Sequence, residues 1–135
     1  MRVVLDTNVY VVGCLSRHKY ALTVDALLAG RYDLCVSNDI LLEYQEIVAR
    51  KLGGDLIGET VDVLVGLPNV HLVDPRFSWN MIVDDPDDNK FIDCAFAASA
   101  DFIVTEDAHF KVVDKVQFPQ ISVIDIDTFH KLLQE

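Results

Sequence analysis

The residues of this chain that could do chemistry are carboxylates standing at the ends of apolar segments. Asp6 follows the run RVVL from Arg2 to Leu5, and the stretch DDPDDNKFIDCAFAASADFIVTED, Asp84 to Asp107, begins and ends in acids. A buried strand cannot hold an unpaired acid, so Asp88, Asp93 and Asp107 are expected at the rim of their elements, as is Asp6. Two carboxylates about 4 Å apart repel by roughly 4 kcal/mol at an effective dielectric near 20, so a cluster of them needs a cation. Hard oxygen ligands completed by water suit Mg2+ or Mn2+, whereas zinc would call for His or Cys. The chemistry that uses such an arrangement is phosphoryl or phosphodiester transfer, with metal ions activating water and steadying the leaving oxygen.

What must position these acids is an alternation of strands and helices. Arg2 to Leu5 reads as a buried parallel strand whose last turn carries Asp6-Thr7-Asn8. Tyr20 to Ala29 reads as a helix with Leu22, Ala26 and Ala29 on one stripe and Gly30 as its stop. A second strand, Tyr32 to Val36, leads through the cap cluster Ser37-Asn38-Asp39 into a helix from about Ile40 to Lys51, with Ile40, Tyr44, Ile47 and Val48 inward. Gly53-Gly54 ends it, and a further helix spans Leu56 to Leu67. Val70 to Val73 is the third strand, followed by a loop to about Asp87 that carries Phe77 and Trp79. Phe91 to Ala100 is helical, with Ala97 and Ser99 small enough to pack on a sheet, and Phe102 to Thr105 is the fourth strand. Ile121 to Ile124 makes a fifth strand, and Asp127 caps a last helix, Thr128 to Leu133. The expected fold is α/β, a three-layer α/β/α sandwich with a mostly parallel central sheet of about five strands, in one domain spanning residues 1–135.

Sites in open parallel sheets form at the carboxyl ends of the strands, near a switch in strand order. Asp6 follows strand one and Asp107 follows strand four. Asp88 begins the helix leading into strand four, and Glu43 lies in the first turn of the helix after strand two. All four are therefore expected at one edge by topology alone. Each has a plainer role open to it: Asp6 as a turn acid, Glu43 as a solvated helix residue like Glu46, and Asp107 as the cap of the turn carrying His109. Asp88 competes with Asp84, Asp85 and Asp87, which read as loop and capping charges; its preference rests on FIDCA following in helical register. His18, His71, His109 and His130 show no ligand spacing. Phe77 and Trp79 fit a lid on the core better than a platform for stacked bases.

The balance of 22 acids against 11 bases gives a formal charge of -11 in 135 residues, which argues against long-range attraction to nucleic acid. Apolar residues make up 51% of the chain, yet their runs are broken well before the roughly 20 residues that span a bilayer, so a soluble, cytoplasmic protein without a membrane segment is expected. Cys14, Cys35 and Cys94 are odd in number, widely spaced and set in apolar sequence, as reduced core thiols would be.

Taken together, Asp6-Thr7-Asn8 after an N-terminal strand, Glu43 in SNDILLEY, Asp88 in DPDDNKFID and Asp107 in VTED resemble the PIN-domain ribonucleases over nearly the whole chain. The pattern is most similar to the toxin components of toxin–antitoxin systems. The resemblance implies metal-dependent cleavage of RNA, with Asp6, Glu43, Asp88 and Asp107 as catalytic residues holding one or two Mg2+ or Mn2+ ions. By the family pattern Asp6 is the central ligand, Asp88 and Asp107 flank it, and Glu43 acts through water. Asn8 and Thr105 match polar positions that orient an acid. Asp93 matches an auxiliary acid, although at about 140° around the helix from Asp88 it faces another way. Lys90 is a candidate substrate phosphate contact. An RNA substrate, an antitoxin protein and a homodimer are the implied partners. A phosphatase with an Asp nucleophile would need a second acid where Asn8 stands, and a receiver domain lacks its paired acids after strand one. The alternative from another class is a catalytically inactive PIN-like binding module.

Overall fold

The computed structural model describes residues 1–14, 19–52 and 57–135. Its centre is a five-stranded sheet, every neighbouring pair parallel, built from β1 (Arg2–Leu5), β2 (Asp33–Val36), β3 (Val70–Leu72), β4 (Phe102–Val104) and β5 (Ser122–Ile124) in the order β3-β2-β1-β4-β5. Parallel strands covered on both faces need apolar residues at every position, and Val3, Val4, Leu5, Leu34, Cys35, Val36, Ile103 and Val104 are all fully buried. The chain moves outward from β1 to β2 and β3, then crosses back to place β4 on the other side of β1. This is the switch in strand order, and it falls between β1 and β4.

Among the described residues six α-helices flank the sheet: α1 (Thr7–Cys14), α2 (Leu22–Leu28), α3 (Asn38–Leu52), α4 (Ile57–Gly66), α5 (Asn89–Ala97) and, after the last strand, α6 (Ile126–Gln134). Right-handed crossovers put the helices of the β1-β2-β3 half on one face and α5 on the other. The packing agrees, since α1 lies against α2 and α3, α2 touches α6, and α5 covers β1, β4 and β2. The α/β architecture with a parallel sheet of five strands is thus as expected, and the sheet is parallel throughout.

Several boundaries differ from the sequence reading. Thr7 to Cys14 forms α1, a helix not anticipated because its Val-rich run has no polar face; Thr7, Val9, Tyr10, Val11 and Gly13 are all buried. Gly13 lets α1 and α2 pack closely, because a Cβ there would lie 2.9 Å from Val24 Cγ2 and force α2 to shift. The buried residues of α2 are Thr23, Ala26 and Leu27. Gly30 (φ 74°) does close this helix, in the left-handed conformation. Helix α3 begins two residues early, its first turn capped by Ser37 Oγ, which accepts from Ile40 N at 3.3 Å. In α5 the sheet-facing residues are Phe91, Ile92, Cys94 and Ala95, whereas Ala97 and Ser99 are exposed beyond or at the end of the helix. The cap of α6 is Asp125 and not Asp127: its Oδ1 accepts from Thr128 N at 2.8 Å. Cys35 and Cys94 are buried free thiols and Cys14 is a partly buried one. Gly53, Gly54, Leu56 and His18 lie outside the described residues.

Candidate functional site

Asp6 stands at the carboxyl end of β1, its backbone N–H still donating to Val104 O of β4 at 3.0 Å. Its side chain is held at two points. Thr105, buried just past β4, donates its hydroxyl to Asp6 Oδ2 at 2.7 Å and accepts from Asp107 N at 3.0 Å, so one hydroxyl ties the two acids' positions together. Thr7 N–H supplies the second bond to Asp6. Asp107 in turn caps the 3-10 segment Ala108–Lys115, accepting from His109 N at 2.9 Å. The capping role considered for Asp107 and its place at the sheet edge are therefore compatible.

Glu43 reaches the same edge from the second turn of α3, since that helix starts at Asn38. The helix is docked by its next residue: Tyr44 is fully buried, stacks on Tyr10 of α1 with ring centroids 4.2 Å apart, and donates its hydroxyl to Leu5 O at the end of β1. Glu43 accepts from Thr7 Oγ1 through one oxygen and from Lys90 Nζ through the other, at 2.7 Å. Glu46, the competing acid, is on the surface in an ion pair with Arg50. Asp88 ends the 3-10 turn Pro86–Asp88 and occupies the N-cap position of α5 without capping it through its side chain, which leaves that carboxylate free to face the cleft.

Asp6, Asn8, Glu43, Asp88 and Asp107 line one open cleft of about 450 Å³ at the β1/β4 switch. Thr7, Asp85, Asp87 and Glu106 line it too. Partial burial, followed by the fields of Asp85, Asp6, Asp107 and Glu43, pushes the Asp88 carboxyl up to about 7. Burial likewise raises Asp6, against the lowering bonds from Thr105 and Thr7, with Glu43 and Asp107 adding to the rise. These acids feel one another, as convergence at one edge requires. Among the described residues no three His, Cys, Asp or Glu side chains already form an ion cage. Two of the acids are engaged within the chain, Glu43 by Thr7 and Lys90, and Asp107 by His109 N. The donor set is nonetheless one of carboxylate oxygens without thiols, which fits Mg2+ or Mn2+ better than zinc.

A family model described as PIN domain matches residues 2–109. The chain belongs to the PIN-domain family. No curated protein matches it in sequence. Among solved structures it is similar to a chain in the crystal structure of VapBC2 from Rickettsia felis bound to a DNA fragment from their promoter. The two share 18% identity and a TM-score of 0.63 over 93% of this chain and 98% of that one, which is a likeness of fold.

In this PIN domain all four acids singled out from sequence lie within the matched span and within one cleft. Asp93 does not line that cleft; it accepts from Trp79 N at 2.9 Å and so anchors the loop before α5. Trp79 stacks on Phe96 with centroids 4.3 Å apart, the lid arrangement, while Phe77 packs edge-on against it and stays 66% exposed. Lys90 is not on the open surface: its side chain is 14% exposed and bridges Glu43 and Asp87. Two residues were missed. Thr7 orients both Asp6 and Glu43, and the only signal for it was its place directly after Asp6. Glu106 faces the cleft and also accepts from Ile126 N at 2.9 Å, tying β4's end to α6.

Proposed function

We propose that this PIN domain is a metal-dependent endoribonuclease, hydrolysing RNA phosphodiester bonds at the cleft between β1 and β4. The observation that carries the proposal is the convergence of Asp6, Glu43, Asp88 and Asp107, from four separate segments, on that one cleft. Asp6, Asp88 and Asp107 would hold the ion, with Glu43 at its α3 side. The chemistry a bound Mg2+ or Mn2+ supplies is activation of water and stabilisation of the leaving oxygen. The chain's own contribution is to fix the acids. Thr105 sets Asp6 and Asp107 in register, Thr7 orients Asp6 and Glu43, and the rigid end of β1 carries the central acid. Asn8, exposed on the cleft wall, is placed to orient a ligand or water there.

The biological setting we infer is the toxin of a toxin–antitoxin pair, acting as a homodimer. The fold likeness to a chain of VapBC2 supports it, and a surface with a formal charge of -11 suits a basic partner segment better than unassisted capture of RNA. The competing reading, an inactive binding module, is favoured only by the engagement of Glu43 with Thr7 and Lys90. Calorimetric titration with Mn2+ separates the two. The wild type is expected to bind Mn2+ and Asp6→Asn to lose that binding; no heat from the wild type, or unchanged binding by Asp6→Asn, leaves the binding module.

A further inference from the structure

The acid cleft is lined by no basic side chain among the described residues, yet one ammonium stands directly behind two of its acids, Glu43 and Asp87. Lys90, in the first turn of α5 and two residues from Asp88, places Nζ 2.7 Å from Glu43 Oε1 and 3.0 Å from Asp87 Oδ2. With 14% of its side chain exposed and 21% of Glu43's, the Lys90–Glu43 pair is shielded from solvent in a way ordinary surface pairs are not. Both Glu43 oxygens are engaged within the chain, Oε1 by Lys90 and Oε2 by Thr7 Oγ1. Two-metal sites set their ions roughly 3.5–4 Å apart and need carboxylate oxygens for each. Here the acid that α3 could offer to a second ion is already neutralised from within the chain.

We propose that Lys90 is an internal cation standing in for a second divalent ion, so that this cleft takes one Mg2+ or Mn2+ and Lys90 holds Glu43 in place beside it. Lys90 is thereby a positioning residue and not a phosphate contact: its ammonium faces two carboxylates and is spent on them. The inference rests on the reading that the cleft binds a divalent ion. A single charge with three donors satisfies Glu43 and Asp87 permanently, where a second ion would leave with each change of metal concentration.

The test is the Mn2+ stoichiometry of the full chain, by calorimetry, for wild type, Lys90→Gln and Lys90→Arg. One Mn2+ per chain is expected for the wild type and for Lys90→Arg, which keeps the charge, and two for Lys90→Gln, in which Glu43 and Asp87 are freed. Melting of Lys90→Gln gives a second readout: it should be less stable than wild type in chelator and recover with added Mn2+. Two ions in the wild type overturn the proposal, whether or not any variant folds. A single ion in folded Lys90→Gln overturns it too, reducing Lys90 to a packing residue while the metal reading stands. No Mn2+ bound by the wild type removes the metal reading itself and this inference with it.

Discussion

At the scale of single residues, the cleft trades folding stability for charge. Folding raises Asp88 from its ordinary 3.8 to about 7, so the folded state favours its protonated form. Its contribution to stability is then fully present below about pH 4 and is lost as pH rises through about 7. Asp88→Asn, measured in chelator, should therefore gain melting temperature over wild type by more at pH 8 than at pH 4; a difference independent of pH would contradict the burial and repulsion described for this carboxyl. Thr105 gives a second expectation. Thr105→Val keeps the buried shape and removes the hydroxyl that joins Asp6 to Asp107 N. Loss of a ligand's supporting bond costs about 10–100-fold in metal affinity or activity, and Mn2+ titration should show a weakening of that order with the stoichiometry unchanged.

At the scale of elements, the loop before α5 is held by Asp93, and its state can be read optically because Trp79 is the chain's one tryptophan. Asp93→Ala should shift Trp79 emission to the red and leave RNA cleavage within about threefold of wild type, since Asp93 lies off the acid cleft. Loss of cleavage with unshifted emission would make Asp93 part of the site. The strands were legible because a parallel sheet buried on both faces demands continuous runs such as RVVL and FIVT, which no amphipathic helix shows. Helix α1 was not, for the same reason: TNVYVVGC is buried on nearly all sides and shows no polar face to mark a helical period. The cap of α6 was misplaced by two residues because Asp125 and Asp127 offer the same chemistry, and only the bond from Thr128 N to Asp125 distinguishes them. Asp6 and Asp107 could be paired from topology alone. The partners of Glu43 could not, because contacts between α3, α1 and α5 depend on how three helices pack, which no local pattern encodes.

At the scale of the whole molecule, the net charge bears on how the proposed RNA substrate would arrive. A chain at -11 repels a polyanion, and the Debye length falls to about 8 Å at physiological salt. The kcat/KM on single-stranded RNA should thus hold or rise as KCl is raised from about 20 to about 150 mM, opposite to the steep loss seen when basic patches release counterions. A fall of tenfold or more would reveal a basic track that the composition does not suggest. The acid cleft at the β1/β4 switch is where we propose that RNA is cut. The direct measurement is to incubate mixed cellular RNA with wild type and with Asp6→Asn, in Mn2+ and in chelator, and to sequence the new ends. New internal ends are predicted only for wild type in Mn2+, with Asp6→Asn folded and silent. Equal cleavage by Asp6→Asn, or by wild type in chelator, would contradict it.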